Sequence, residues 1–70
     1  MDAQEIKNRF TYHAPKFDQP HRYIQIRDMA LQFAELVNDL CPDSREKSTA
    51  ITKIDEAVMH ANAAIARNEA

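Results

Sequence analysis

The chain reads as an all-α protein: an antiparallel helical hairpin with an N-terminal arm, built to assemble into a homo-oligomer. Three observations predict this. Prolines fall at 15, 20 and 42 and nowhere else, so they punctuate the chain and leave two long uninterrupted segments. Apolar residues in both segments recur at alternating three- and four-residue spacing, the period of a helix face rather than of a strand. The connection Cys41-Pro42-Asp43-Ser44 is short enough to force an antiparallel return.

The 70 residues make a single domain of three parts: an arm over 1–18, a helix over 19–40 and a helix over 43–68. In the arm, Asp2 caps a short helical turn reaching Asn8, and Arg9 to Pro15 reads as extended, because proline biases the residue before it away from the helix. Phe10, Tyr12 and Phe17 place three of the five aromatics here. Asp18 or Gln19 caps the first long helix, with Pro20 in its first turn where a missing N–H costs nothing. Asp43 and Glu46 resemble a capping box for the second.

Tyr23, Ile26, Ala30, Phe33, Val37 and Leu40 form one stripe, and Ile51, Ile54, Val58, Ala61 and Ile65 the other; together they predict the hairpin seam. Met29 and Leu36 flank the first stripe on one side, Ile24 and Leu31 on the other, an arc wider than one partner helix can cover. Ala50, Ala57 and Ala64 recur every seven residues beside the second stripe, which lets helix backbones approach closely. With eleven alanines among its apolar residues, the chain has few large side chains for a private core, so the excess arc predicts contact with further copies.

Composition excludes several functions. There is no glycine, so no glycine-rich loop can cradle phosphate, and a phosphate must be held by side chains or helix ends. A net charge of -2 argues against binding DNA or RNA polymers, which take a basic footprint, and leaves small anions open. The single Cys41 precludes an internal disulfide and fits a cytosolic chain. No apolar run approaches the ~20 residues of a membrane span, and Met1 to Glu5 lacks the features of a signal peptide. The three histidines have no His-x-x-x-His or Cys-x-x-Cys partner, so neither metal nor other cofactor is expected. No nucleophile has a base at helical spacing, so the chain is not expected to be an enzyme.

Several polar residues break the pattern. Gln25, Asp28, Gln32, Glu35 and Asp39 share one solvated face, whereas Arg27 projects between Ile24 and Leu31. A guanidinium on an apolar arc needs an anionic partner, either a carboxylate of a neighbouring subunit or a ligand. Asn62 falls on the apolar side of its helix, where a register-fixing hydrogen bond is its ordinary role. Lys53, His60 and Arg67 line one face at seven-residue intervals; the first two read as solvated, and Arg67 also complements the helix dipole. In the arm Arg9, His13 and Lys16 interleave with Phe10, Tyr12 and Phe17, a set that can stack bases and answer phosphates. For the two phenylalanines the simpler expectation is packing over the end of the hairpin.

The segments Arg9-Phe10-Thr11-Tyr12-His13-Ala14-Pro15-Lys16, Arg22-Tyr23, Cys41 to Ser48, Thr52-Lys53-Ile54 and Glu56 to Arg67 resemble the hairpin domain shared by phage anti-CBASS cyclic-nucleotide sponges and Thoeris anti-defence sponges, from about Asn8 to Asn68. The resemblance implies a phage protein acting in the host cytoplasm that captures immune signalling nucleotides without cleaving them. It implies a homohexamer with cyclic dinucleotides, such as cyclic GMP-AMP, held between protomers and cyclic trinucleotides at separate sites. Tyr12 matches the family's base-stacking aromatic, Arg27 its phosphate-binding basic residue, and Arg67 the trinucleotide site. Arg9, His13 and Lys16 are the arm cations expected to assist at the dinucleotide. Two positions depart from the family: Ala14 replaces a proline after the histidine, and Met29 offers no hydroxyl beside Arg27. The alternatives to a sponge are a helical adaptor binding a host or phage protein and a cyclic-nucleotide phosphodiesterase.

Overall fold

The computed structural model describes residues 1–69 and contains three helices and no strand among them: α1 (Ala3–Arg9), α2 (Gln19–Leu40) and α3 (Arg45–Asn68). The two long helices pack side by side as a hairpin, and α1 with its extended continuation forms the arm.

Each boundary has a local cause. The Asp2 side chain accepts from Gln4 N–H at 2.7 Å and starts α1, while Arg9 pairs with Glu5 one turn back at 2.9 Å. Asp18 stands at the N-cap position of α2 without making a side-chain cap bond. Its carboxylate lies 3.2 Å from Arg22 Nε, too oblique for a hydrogen bond. Gln19 is not the cap either; it is the first residue of α2, and its amide turns back onto the arm. The helix over Arg45–Asn68 starts two residues after the expected 43, because Ser44 is its cap: Ser44 Oγ accepts from Lys47 N–H at 3.1 Å. With Ser44 in that place, position three of the helix is a lysine, and Asp43 pairs with the Lys47 ammonium at 3.0 Å instead of closing a box with Glu46.

Zero glycine has a visible consequence at Phe17, whose φ of 51° lies in the left-handed region that glycine normally takes. This residue turns the arm back toward the hairpin, and its ring points outward. Phe10 and Phe17 are both largely exposed and do not pack over the hairpin end, contrary to expectation.

The seam is half-buried rather than buried. Ile51, Ile54, Val58, Ala61 and Ile65 on α3 meet Tyr23, Ile26, Ala30 and Val37 on α2, while Phe33 and Leu40 remain exposed and Ala34 takes part instead. On the wheel Ala34 sits beside Tyr23 and Ala30, so the contact line is rotated away from Phe33. No hydrophobic residue is fully buried among the described residues, and the molecule is only 12 Å thin in its shortest dimension. Its surface of 5700 Å² exceeds the about 4,500 Å² of a compact monomer of this mass. Its 15.2 Å radius of gyration likewise exceeds the about 11 Å of a compact domain this long. Two helices side by side form one layer, and a single layer cannot enclose side chains from both faces.

The two faces differ. One is an apolar groove of Ile26, Met29, Ala30, Phe33, Ala57 and neighbouring residues. The other carries Ile24, Arg27 and Asn62, with the arm folded over one end. No helix among the described residues is long and apolar enough to cross a membrane.

Candidate functional site

The arm and the second face of the hairpin enclose an open cleft of about 640 Å³, within the usual range for small-ligand sites. Arg9, Thr11, Tyr12, His13 and Pro15 supply the arm wall, Tyr23, Ile24 and Arg27 the α2 wall, and Asn62, Ala63, Ala66 and Arg67 the α3 wall. Small residues at 63 and 66 leave the space: larger ones would fill it.

Cleft electrostatics run against those of the whole chain. The molecule carries a net charge of -2, yet its lining has three arginines and no carboxylate. Arg9 is partly answered by Glu5 at its edge, at 2.9 Å. Arg27 makes no ion pair among the described residues and is exposed, because the face on which it lies is uncovered along with Ile24 and Leu31. A desolvated anion entering between these guanidiniums gains charge-assisted hydrogen bonds at several donors.

Tyr12 stands on the arm wall with 83% of its surface exposed, so its ring is free to stack on a flat ligand. His13 is half-buried, and its Nε2 donates to the Asn8 carbonyl at 2.9 Å. A carbonyl can only accept, so that contact places a proton on Nε2 and leaves Nδ1 as the nitrogen available to a ligand. Thr11 Oγ1 donates to the Lys7 carbonyl and is similarly committed. Asn62 Oδ1 is buried and unpartnered, the one such acceptor in the lining, and carries none of the register-fixing bond expected of it within the chain.

Of the sequence-predicted residues, Arg9, Tyr12, His13 and Arg27 therefore meet in one cleft. Lys16 does not line it; it lies at the root of the arm, where its backbone is bonded to Gln19. Arg67, expected at a separate site, borders this same cleft in the single chain. Its guanidinium donates to the Arg9 carbonyl at 3.2 Å and its own carbonyl accepts from Asn8 Nδ2 at 3.1 Å, so the end of α3 answers the open carbonyl end of α1. Lys53 pairs with Glu56 at 3.3 Å, away from the cleft. No group of three or more potential metal ligands occurs among the described residues.

A second polar cluster lies outside anything the sequence pattern predicts. Gln19 Oε1 accepts from Lys16 N–H at 2.9 Å, Gln19 Nε2 donates to Glu69 Oε1 at 3.0 Å, and the Arg22 guanidinium donates to both oxygens of Glu69. The hydrogen bonds from Arg22, then that from Gln19, hold the Glu69 carboxyl down at about 2, and the same pairing pushes the Arg22 guanidinium further up. Asp18 with Arg22 four residues on was a readable sign of a helix pair. Nothing local announced Glu69, which is 47 residues from Arg22.

A family model, Acb2/Tad1, hairpin domain, matches residues 1–66, nearly the whole chain. The chain belongs to the Acb2/Tad1 hairpin-domain family. The Acb2/Tad1 proteins are the anti-CBASS and anti-Thoeris sponges, a family of cyclic-nucleotide-sequestering domains rather than a known family of enzymes. No curated protein and no solved structure matches the chain. The Acb2/Tad1 match extends over both arm and hairpin, the two parts that make the cleft, and stops one residue before Arg67.

Proposed function

We propose that the protein sequesters cyclic dinucleotides of antiphage immunity in this cleft and releases them unchanged, so that the host effector is never activated. The observation that carries the reading is the cleft itself: three arginines without a carboxylate, faced by an exposed tyrosine on an anchored arm, in a chain of net negative charge. Tyr12 stacks a base, Arg27 and Arg9 answer the two phosphates, and His13 Nδ1 accepts from a base N–H, while Lys16, outside the cleft, takes no direct part. Stacking contributes about 1–3 kcal/mol per base, and nanomolar capture needs about -12 kcal/mol, so the remainder must come from paired phosphates at a preorganised site.

Capture without cleavage is supported by the hydrogen bonding. The Thr11 hydroxyl and His13 Nε2 are spent on backbone carbonyls, and neither is poised on the other as nucleophile and base. A phosphodiesterase would return linear products; a sponge returns the intact ring after heat denaturation, and chromatography of the released ligand separates the two.

Self-assembly belongs to the same proposal. The absent core, the excess surface and the apolar groove on the opposite face support further copies docking there, in a homohexamer. Copies then supply second halves of each site, and Arg67 side chains gathered from several copies would meet the phosphates of a cyclic trinucleotide. The place of action is the host cytoplasm. Calorimetry with a panel of cyclic di- and trinucleotides tests the proposal directly. Heat and nanomolar saturation are expected with at least one dinucleotide, and silence across the panel would favour a helical adaptor using the apolar groove for a host or phage protein.

A further inference from the structure

The arm that carries Tyr12 and His13 has almost no packing of its own. Phe10 and Phe17 face solvent, and no hydrophobic residue of the arm is buried. What holds its root is polar. Lys16 and Gln19 exchange two bonds, Lys16 N–H to Gln19 Oε1 and Gln19 N–H to the Lys16 carbonyl, both 2.9 Å. The other end of the same amide donates to Glu69, and Arg22 grips both oxygens of that carboxylate. Gln19 is 4% exposed, the most enclosed side chain among the described residues.

This ring joins the root of the arm and the first turn of α2, which adjoin in sequence, to the chain just past α3, 47 residues from Arg22 and 50 from Gln19. Ordering a backbone costs conformational entropy at every residue, and an arm without apolar anchors recovers it only through such bonds. A glutamine suits the position because its amide both accepts from the arm and donates to the tail. Arginine suits the next because its planar fork matches a carboxylate at two points.

We propose that Gln19, Arg22 and Glu69 form a positioning clasp that sets how long a captured nucleotide stays bound, by holding the arm closed over the cleft. None of the three touches the ligand; they act through Lys16 on the segment bearing His13 and Tyr12. The inference rests on the reading of the cleft as a nucleotide site. Loss of the clasp opens the arm more often, which lets ligand leave without changing the groups it meets on entry, so the dissociation rate rises and the association rate is kept.

The test uses the full chain and three variants: Glu69→Gln, Arg22→Glu, and Arg22→Glu combined with Glu69→Arg. Without ligand, the readouts are hydrogen exchange at the Lys16 amide and tryptic cleavage after Lys16. With ligand, the readout is the dissociation rate of whichever cyclic dinucleotide of the panel the wild type binds. Both single variants should exchange and release about fivefold faster, the scale of a partly exposed ion pair, and the double variant should move back toward wild type. Unchanged exchange at Lys16 in Glu69→Gln would overturn the clasp, as would faster exchange with an unchanged dissociation rate. A wild type that binds no nucleotide would instead overturn the reading of the cleft, and the clasp's part in capture with it.

Discussion

Replacing Met29 by lysine tests whether the apolar groove is covered by another copy. Met29 lies on the groove with 64% of its surface exposed in the single chain. Full burial of a methionine side chain contributes about 1.5–3 kcal/mol, so covering the exposed share contributes about 1–2 kcal/mol per contact. That is about thirtyfold in a dissociation constant at its upper end. Lysine forms helix as readily as methionine, so α2 itself should survive, while a buried unpaired ammonium adds several kcal/mol (order of magnitude) against docking. Analytical ultracentrifugation should show the wild type as an oligomer and Met29→Lys as a smaller species. The wild type's melting temperature, followed by circular dichroism, should rise with protein concentration, as stability linked to assembly requires. Gln32→Lys on the solvated face of α2 is the control and should leave mass and melting unchanged. A wild type that sediments as a monomer and melts at one temperature over a hundredfold dilution would refute the reasoning, because the exposed surface would then need no partner.

Three further outcomes are expected. Tyr12→Ala and Arg27→Ala should each weaken dinucleotide binding by about 10–100-fold in calorimetry while the oligomer persists, since one removes a stacking face and the other a phosphate partner; tight binding by both would dismiss the cleft. Ser44→Ala removes the cap of α3 and should cost about 1 kcal/mol of stability, read as an earlier thermal or urea transition, whereas Asp43→Ala, which does not cap, should cost less. Glu69 titrates at about 2 in the folded chain against its ordinary 4.5, so its contribution to stability is complete above pH 4.5 and fades as the pH falls from there toward about 2. The melting temperatures of wild type and Glu69→Gln should therefore differ at neutral pH and converge through that window, and a gap that stays constant to pH 2 would show that the carboxylate's pairing is not its source.

The helices were legible because their causes are local. Proline at 42, apolar residues at three- and four-residue spacing and a short turn are enough to announce a hairpin, and Asp2 announced the small helix of the arm. The α3 cap is Ser44 rather than the Asp43 that the sequence pattern suggests, because both are capping types and only the chain's path decides which oxygen reaches a free N–H. Phe33 was expected in the seam and Ala34 was not. A helix wheel fixes which residues are neighbours but not the angle at which a second helix meets them.

Arg27 stood out in the sequence as a charge on an apolar arc, and Arg9, Tyr12 and His13 as parts of an arm that interleaves cations with aromatics; the fold gathers all four around one cleft. Gln19, Arg22 and Glu69 gave no such sign, because each is an ordinary polar residue until the tail of α3 comes back to the root of the arm. By itself the sequence determined that this protein is a glycine-free helical hairpin with more apolar surface than two helices can hide, for periodicity and composition act residue by residue. Only the tertiary structure decided that the three arginines share a cleft free of carboxylates, that Arg67 ties the end of α3 to the end of α1, and that the arm is held by polar bonds rather than by its phenylalanines. Those facts depend on contacts between residues dozens of positions apart, and such contacts are set by packing and chain return, which no local pattern encodes.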